Sequence, residues 1–323
     1  QVGLGLSYAL TITRTLSFGV RSSTALENQF NSVERVQQFI GLPQEGDEDE
    51  AGLTRAVVPA QWPCVGVEIR DIHARHRSDL PAALTGVTLS VRSGERVGIC
   101  GRSGSGKSTL ALALVRVVEC FEGSIAVDGL DVRDIPLSRL RAGVTVISQD
   151  AQLFSGNIRE AIDPLGQCSD TRIWEIIEMG GLTATISALP FGLETSVSER
   201  GNNLSAGQRQ LLCIARAMVN QPGVLVFDEA TANVDVDTDG IIQRLIRSSL
   251  RDAAVIVIAH RLEDVVSCHR AVVMDAGKVA EEGPPSDLLS DPDSMLSRLA
   301  RELGPDLERT LREESARLAG GGQ

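Results

Sequence analysis

The sequence predicts an α/β fold in which a mostly parallel sheet is covered by helices on both faces. Three apolar, β-branched runs lack polar alternation, which is the pattern of strands buried on both sides; they are residues 144–147, 224–227 and 255–259. A fourth short run, at 96–100, enters a glycine-rich loop, and an apolar helical stretch at 110–115 leaves it. Strands alternating with helices in this way are typical of a parallel sheet.

The glycine-rich loop has the composition of a phosphate-binding motif. Its residues, in the spacing G-x-x-x-x-G-K-S/T, are Gly101, Arg102, Ser103, Gly104, Ser105, Gly106, Lys107, Ser108 and Thr109. Glycines allow positive φ and a close approach to phosphate, while backbone N–H groups and the following helix dipole favour an anion. Lys107 supplies a charge to the terminal phosphates, and the Ser108 hydroxyl is a hard ligand for Mg²⁺. The sequence therefore predicts a site for a nucleoside triphosphate with Mg²⁺.

Each of the three apolar runs is followed almost at once by polar residues that can take part in chemistry. These are Gln149, the pair Asp228 and Glu229, and His260. Because ligands bind beyond the carboxyl ends of strands in open α/β sheets, the four side chains are expected to meet around one γ-phosphate. Asp228 suits Mg²⁺ held through its water shell, and Glu229 suits a general base for the attacking water. The Gln149 amide can contact both metal and water, and His260 can hydrogen-bond the γ-phosphate.

A second anion-binding motif lies downstream of the loop. Its residues are Leu204, Ser205, Ala206, Gly207 and Gln208. Ser205 suits the N-cap of an amphipathic helix, and a helix N-terminus is an anion site. This helix start is expected to face outward, towards a phosphate that another molecule holds.

Together these motifs resemble the nucleotide-binding domain of ATP-binding cassette (ABC) transporters over residues 64–295. The run at 204–208 is similar to the LSGGQ signature of that family, with Ala206 where glycine is usual, and residues 232–235, ending at Asp235, resemble its D-loop. The residues at its Q-loop and H-loop positions are Gln149 and His260. The resemblance implies a P-loop NTPase core of the ABC type, with an antiparallel β-subdomain and a helical signature subdomain. It also implies a second nucleotide-binding domain paired head to tail, so that each ATP lies between one domain's loop and the other's signature.

A narrower resemblance is to the second nucleotide-binding domain of subfamily C, the multidrug-resistance-associated type. It is carried by residues 77–81, 153–159, 162–165 and 204–210. In that subfamily the second domain typically retains the catalytic glutamate, and Glu229 matches that pattern. The family usually places tyrosine or tryptophan, which stacks on adenine, where this chain has His76. The resemblance therefore assigns His76 to the nucleotide site, although an imidazole offers a smaller face for stacking.

Four segments are predicted along the chain. They are the end of a transmembrane helix with a cytoplasmic stalk (1–40), an acidic, proline-containing linker (41–63), the nucleotide-binding domain (64–295) and a peripheral, charged helical tail (296–323). Taken alone, residues 1–20 are too short and too polar for a membrane span, because Arg14 interrupts them; the membrane assignment comes from the resemblance. It implies that the domain lies on the cytoplasmic face of a membrane and is attached through the N-terminal helix. Residues 275–278 predict a hairpin turn.

Charge and cysteine usage indicate the class of partner and the cellular compartment. The 323 residues include 31 basic and 43 acidic side chains, for a net charge of −12. Phosphate-backbone binding needs clustered lysine and arginine, so a nucleic-acid partner is not expected. The six cysteines are scattered without a C-x-x-C pair, which indicates reduced thiols in a cytosolic compartment.

The sequence therefore predicts an ATP- and Mg²⁺-dependent ATPase domain of an ABC membrane exporter, with transmembrane domains and a second nucleotide-binding domain as partners. Organic anions or conjugates are the cargo that the subfamily implies. One alternative is a nucleotide-sensing domain of an ABC-type channel or channel regulator, whose motifs are nearly identical. The other is a soluble ABC ATPase, against which the acidic balance and the N-terminal stalk both argue.

Overall fold

The computed structural model describes residues 2–42, 45, 57–59, 62–63, 66–148, 152–179, 181–187, 189, 191–228, 240, 242, 252–259 and 261–320. The chain divides into two compact units, residues 1–53 and residues 54–323. Four residues with predicted roles lie outside the described ranges: Gln149, Glu229, Asp235 and His260.

The first unit contains one long helix, α1 (Val2–Ile40), of 39 residues. The Thr11 and Thr13 hydroxyls donate to the carbonyls four residues earlier in the helix. Large apolar side chains such as Phe18 and Phe30 are exposed along its length. Within the described ranges, no helix combines the length and the apolar character needed to cross a membrane.

The second unit contains twelve strands and ten further α-helices in the described part of the chain. The strands are β1 (Gly66–Ala74), β2 (Leu84–Arg92), β3 (Arg96–Cys100), β4 (Cys120–Val127), β5 (Leu130–Asp131), β6 (Val144–Ile147), β7 (Gly156–Asn157), β8 (Ser196–Val197), β9 (Val224–Asp228), β10 (Ala254–Ile258), β11 (Arg270–Asp275) and β12 (Lys278–Gly283). The helices are α2 (Lys107–Leu114), α3 (Leu137–Gly143), α4 (Ile158–Ile162), α5 (Asp170–Met179), α6 (Thr183–Ser187), α7 (Ala206–Asn220), α8 (Leu262–Val266), α9 (Pro285–Ser290), α10 (Met295–Glu302) and α11 (Pro305–Gly320).

A six-stranded sheet in the order β12-β11-β3-β10-β9-β6 forms the centre of this unit. The four predicted strands, β3, β6, β9 and β10, are parallel to their neighbours in this sheet, which confirms the parallel α/β prediction. Their carboxyl ends are level, since Ile147 lies opposite Phe227, and Ile258 lies opposite Asp228. Side chains that follow these strands are therefore delivered to one edge of the sheet.

A second sheet is antiparallel, in the order β2-β1-β4-β5. It confirms the antiparallel β-subdomain that the resemblance implies, and it supplies the strand β1 that leads to His76. Leu110 and Leu114 of α2 share one buried cluster with side chains of both sheets, including Ile99 and Leu84. The helix after the glycine-rich loop is therefore packed between the two sheets.

The segment between β6 and β9 is mostly helical, as predicted, with α4 to α7 and the short β7–β8 hairpin. Ile158, Ile173, Ile176 and Ile214 form a buried cluster that unites these helices. This part of the unit carries the 204–208 motif.

The C-terminal region differs from the prediction of one peripheral helix. Two helices, α10 and α11, follow the β11–β12 hairpin, and Leu296, Ala300 and Leu311 are fully buried. These side chains share a cluster with Val265 and Val273 of the central unit. The charged composition of the segment masks this apolar face, so the tail is part of the packed domain.

Candidate nucleotide-binding site

The glycine-rich loop follows β3 and is packed too closely for side chains at two of its glycines. Gly101 has φ +145°, and a Cβ there would lie 2.1 Å from the Met274 carbonyl oxygen. Gly106 has φ +102°, and a Cβ there would lie 2.8 Å from the Ala83 carbonyl oxygen. Both positions therefore need glycine, for backbone conformation and for space.

The start of α2 directs backbone donors into the loop. The helix begins at Lys107, and its first intrahelical bond runs from the Leu110 N–H to the Gly106 carbonyl oxygen at 3.0 Å. The N–H groups of the preceding helical residues have no acceptor within the helix. They form the positive end of the helix dipole, where an anion is favoured.

The Lys107 ammonium group is held within the curve of the loop. Its side chain is buried, and Nζ donates to the Gly101 carbonyl oxygen at 2.8 Å and to the Arg102 carbonyl oxygen at 3.1 Å. A buried lysine needs partners for its charge. Here the partners are carbonyls of the loop itself, so the charge stays where a terminal phosphate would lie.

Two of the predicted magnesium ligands meet at the mouth of the loop. The Ser108 hydroxyl donates to Asp228 Oδ1 at 3.2 Å, which joins the start of α2 to the end of β9. A hydroxyl and a carboxylate are hard oxygen donors of the kind that Mg²⁺ prefers. The donor set therefore fits the metal that accompanies a nucleoside triphosphate.

Ser105 provides a further test of whether the loop fits an anionic ligand. Its Oγ is buried and has no hydrogen-bond partner among the residues that the structure describes. The backbone of the same residue is fixed, because its carbonyl accepts from the Gly277 N–H at 3.1 Å. A buried hydroxyl without a partner costs free energy unless a ligand or water completes it. The orphaned group therefore fits a phosphate-binding loop.

The loop is supported from the β11–β12 hairpin, whose turn lies at the predicted residues. Ala276 and Gly277 both have positive φ, 46° and 79°, which a tight hairpin turn requires. Gly277 also accepts from the Thr85 N–H at 2.8 Å, so the turn links the loop to β2. The sequence predicts the turn, but nothing in it indicates that the turn braces the phosphate loop.

Two contacts of site residues were not anticipated from the sequence. His76 Nε2 lies 3.1 Å from Thr109 Oγ1, which joins the loop after β1 to the first turn of α2. Arg102 donates to the Glu302 carboxylate at 2.9 Å, in an exposed ion pair with the end of α10. The resemblance marks position 76, but no sequence signal identifies either partner.

The thiol directly before the loop, that of Cys100, remains protonated. Burial raises the pKa of Cys100 to about 12, against the opposing attraction of the Lys107 charge. Because the thiol remains neutral at physiological pH, it acts as a small apolar side chain beneath the loop. The five cysteines in the described part of the chain form no disulfide bond.

The second motif forms a complete helix cap, as predicted. Ser205 Oγ accepts from the Gln208 N–H at 3.1 Å, and Gln208 Oε1 accepts from the Ser205 N–H at 2.9 Å. This reciprocal pair is a capping box at the start of α7. Leu204 is half-buried, Ser205 and Ala206 are exposed, and Gly207 is buried. The exposed helix start can therefore meet an anion that lies outside this chain.

The remaining predicted residues lie outside the described ranges, and only the strands before them are placed. Gln149 follows β6 by two residues, Glu229 comes directly after β9, and His260 follows β10 by two residues. Those strands end at the edge where Ser108 and Asp228 meet. The roles of these three residues and of Asp235 remain predictions.

A lysine held inside a glycine loop, between a parallel strand and a helix, defines a P-loop nucleotide-binding protein. A family model described as "ABC transporter" matches residues 84–232. This match places an ABC transporter ATPase domain within the chain, and the relatives described next are similar to it over most of its length.

The relatives include members of subfamily C. The chain is 39% identical over 301 residues to human "ATP-binding cassette sub-family C member 8", covering 93% of this chain and 19% of that protein. It is 42% identical over 306 residues to "Metal resistance protein YCF1" of Saccharomyces cerevisiae, and 41% identical over 304 residues to "Vacuolar heme ABC transmembrane exporter abc3" of Schizosaccharomyces pombe. Those two matches each cover 94% of this chain and 20% of the relative. The chain thus spans about a fifth of the length of the curated relatives it matches.

A solved structure gives the same result for the fold. The protein described as "a bacterial Atm1-family ABC exporter with ATP bound" aligns with a TM-score of 0.72 and 32% identity, over 79% of this chain and 44% of that one. The fold is therefore that of an ABC ATPase domain, with both the parallel and the antiparallel sheet. Domains of this family bind ATP, generally together with Mg²⁺.

Proposed function

We propose that this chain is the ATP-binding and ATP-hydrolysing domain of an ABC membrane exporter. The observation that carries the proposal is the meeting of Ser108 and Asp228 beside the buried Lys107 ammonium. Two separate parts of the sequence, the loop at 101–109 and the end of β9, supply a phosphate loop, a cation for phosphate and a pair of oxygen ligands at one sheet edge. This combination serves phosphoryl transfer from a nucleoside triphosphate.

Each residue has a definite part in the reaction. The backbone donors of the loop and Lys107 bind and orient the triphosphate, and Ser108, Asp228 and Gln149 would hold Mg²⁺. The metal would neutralise charge on the phosphate oxygens when bound. Glu229 accepts a proton from the water that attacks the γ-phosphorus, while the bond to the ADP oxygen breaks. His260 hydrogen-bonds the γ-phosphate.

The active site is completed by a second nucleotide-binding domain. In this chain the capped helix start at Ser205 is exposed, so its anion-binding end is available to a phosphate held by another domain. Head-to-tail pairing would place this loop against the partner's signature and this signature against the partner's loop. Each ATP would then lie between the two domains.

A groove beside β6 supports coupling to a transmembrane part. It has a volume of about 500 Å³ and lies between the parallel sheet and the helical region, next to the strand that precedes Gln149. Its walls include Val117, Leu165 and Cys213. Val117 and Leu165 are exposed apolar side chains, which suit an interaction surface. We assign this groove to the transmembrane domains, with the nucleotide-binding domain on the cytoplasmic face.

The experiment that separates an exporter from a channel or channel regulator uses the full-length protein. ATP-dependent uptake of organic anions or conjugates into inside-out vesicles, abolished by Lys107→Ala, is the expected result. An ATP-gated current without uptake would contradict the exporter function and indicate a channel or channel regulator. A soluble ABC ATPase is the weaker alternative, and a full-length protein without membrane spans would establish it.

A further inference from the structure

The phosphate loop contacts the C-terminal helices through the side chain of its second residue. The Arg102 guanidinium donates to a Glu302 carboxylate oxygen at 2.9 Å, across 200 residues of sequence. The two side chains are 73% and 58% exposed, so water screens the ion pair and the pair can open at small cost. The cradle does not need this contact, because Lys107 already donates to the loop carbonyls without it. The pair is therefore suited to a reversible role.

The Glu302 carboxylate is held at a fixed place beside the loop. Glu302 is the last residue of α10, and the start of this helix is anchored to β12. There the Glu281 carboxylate accepts from the Ser294 hydroxyl at 2.9 Å and from the Leu296 N–H at 3.1 Å. The β11–β12 hairpin also supports the loop through the Gly277 N–H. The loop and α10 thus share one support, which keeps the carboxylate within reach of the loop.

This carboxylate stands against the electrostatic preference of its own helix. The C-terminal end of a helix carries a partial negative charge, so an acidic side chain there is unfavourable. The preceding basic residue, Arg301, does not pair with it and donates instead to the carbonyls of Pro292 and Ser297. The favourable partner that the structure gives Glu302 is Arg102. The end of α10 is therefore a negative point directed at the phosphate loop.

The Arg102 side chain is long enough to reach the phosphate site instead. Its backbone is fixed, because its carbonyl oxygen accepts from the Lys107 ammonium at 3.1 Å and from the Ser105 N–H at 3.1 Å. A carbonyl oxygen lies about 2.4 Å from its own Cα, so the ammonium is within about 5.5 Å of the Arg102 Cα. An extended arginine side chain is longer than this distance, and guanidinium groups bind phosphate oxygens well. Rotation of the side chain alone can therefore move the guanidinium from Glu302 to a phosphate beside Lys107.

We propose that Glu302 is a positioning residue with an inhibitory effect: it holds the Arg102 guanidinium at the end of α10, and a triphosphate must compete with it for this cation. The C-terminal helices thereby lower the affinity of the loop for phosphates. Because the competition concerns phosphate oxygens, it affects ATP and inorganic tripolyphosphate alike. This inference rests on the proposed function, since it concerns the same loop.

The test measures the affinity of the whole chain for ATP and for inorganic tripolyphosphate, both with Mg²⁺. Glu302→Gln removes the charge at nearly constant shape and should tighten binding of both ligands by about two- to fivefold, the range for one exposed ion pair. Arg102→Gln should weaken binding of both ligands, and adding Glu302→Gln to it should restore nothing. Glu308→Gln breaks another carboxylate–arginine pair, with Arg312 in α11, and is the matched control that should leave both affinities near wild type.

Salt separates an electrostatic restraint from a structural one. At about 1 M salt the Debye length falls to about 3 Å, so an exposed ion pair is strongly screened. The wild-type chain and Glu302→Gln should then differ little in affinity for either ligand. A gain in Glu302→Gln that persists at this salt concentration would show that the substitution acts by changing the packing of α10, and would overturn the inference.

The remaining outcomes distinguish the inference from the function on which it rests. Unchanged or weaker binding in Glu302→Gln would overturn the inference. An equal gain from Glu302→Gln in the Arg102→Gln background would do the same, because Glu302 would then act without Arg102. A gain for ATP without one for tripolyphosphate would place the effect away from the phosphates and would also contradict the inference. If the wild-type chain bound neither ligand, the proposed function would fail, and the inference with it.

Discussion

The Ser108 hydroxyl lies 3.2 Å from an Asp228 carboxylate oxygen, although 120 residues separate them in sequence. Ser108 belongs to the phosphate loop, and Asp228 is the last residue of β9 in the central sheet. This contact brings a phosphate-binding element and an acidic element to one point. Because both side chains offer oxygen ligands to a metal, we expect nucleotide binding to depend on Mg²⁺.

Ser108→Ala and Asp228→Asn should each raise the Mg²⁺ concentration needed for half-maximal ATP binding. Removal of an outer-shell partner typically costs about 10- to 100-fold in metal affinity, so about this loss is expected for Asp228, which acts through the water shell, and at least this loss for Ser108, the direct ligand. Titration of ATP binding against Mg²⁺ measures the effect. Ser290→Ala, which changes an exposed serine at the end of α9, is the control and should leave the Mg²⁺ titration near wild type. If the loss of Mg²⁺-binding free energy in the double variant equals the sum of the two single losses, the two residues act separately, which would contradict a shared metal site.

Lys107→Ala should weaken binding of the triphosphate by about 10- to 100-fold, the range expected for loss of hydrogen bonds to a charged group. The ammonium group is buried in the curve of the loop and donates to the Gly101 carbonyl oxygen, so the substitution takes the positive charge out of the loop. Equilibrium binding of ATP is the measurement. Lys278→Ala removes an exposed lysine from β12 and is the matched control. Equal affinity in the two variants would contradict the cradle assignment.

Glu229→Gln should leave ATP binding intact and lower turnover by about 10²- to 10⁴-fold, the contribution typical of a general base. The amide keeps the shape of the side chain but cannot accept the proton from water. Phosphate release in a steady-state assay reports turnover, and equilibrium binding reports affinity. Strong residual hydrolysis would remove Glu229 from the general-base role.

His269 should make the stability of the domain fall at acid pH. Partial burial, with the neighbouring Arg96 charge, lowers the pKa of His269 below its ordinary 6.5, and its Nδ1 accepts from the Arg96 N–H at 3.0 Å. Because the unfolded chain then binds more protons, the contribution of this residue is complete above the unfolded pKa. It is lost as the pH falls through the lowered folded pKa.

Urea unfolding at a series of pH values measures this effect. His269→Asn offers an acceptor without a titrating ring and should flatten the part of the pH profile that begins below about pH 6.5, the unfolded value for histidine. An unchanged profile in the variant would show that other groups cause the acid sensitivity.

The contact between Ser108 and Asp228 could be predicted because both lie at or beyond the carboxyl ends of parallel strands. Ser108 and Asp228 were each assigned to Mg²⁺ from separate motifs, and the level strand ends bring them into contact. The Ser205 cap could be predicted because a capping box involves residues only three apart. In each case local chemistry, or one general rule of sheet topology, determines the arrangement.

Contacts between distant segments could not be predicted in the same way. The pairing of His76 with Thr109 and that of Arg102 with Glu302 depend on how whole elements pack, and the second spans 200 residues. The burial of Leu296 and Ala300 left a signal, since they are four residues apart on one helix face. The surrounding charges favoured the interpretation as a peripheral tail, and packing against α8 and β11 overrides it.

The most direct test of the shared active site is trans-complementation between two inactive variants of this chain. Ser205→Asp keeps a good N-cap but places a negative charge against the partner's triphosphate, and Glu229→Gln removes the general base. Each variant alone should hydrolyse ATP poorly, and the wild-type chain should gain specific activity as its concentration rises. A mixture of the two variants should exceed the sum of their separate activities, because a mixed pair contains one site with both residues intact. A mixture no more active than its parts, together with concentration-independent hydrolysis by a wild-type chain of monomer mass, would contradict the composite site.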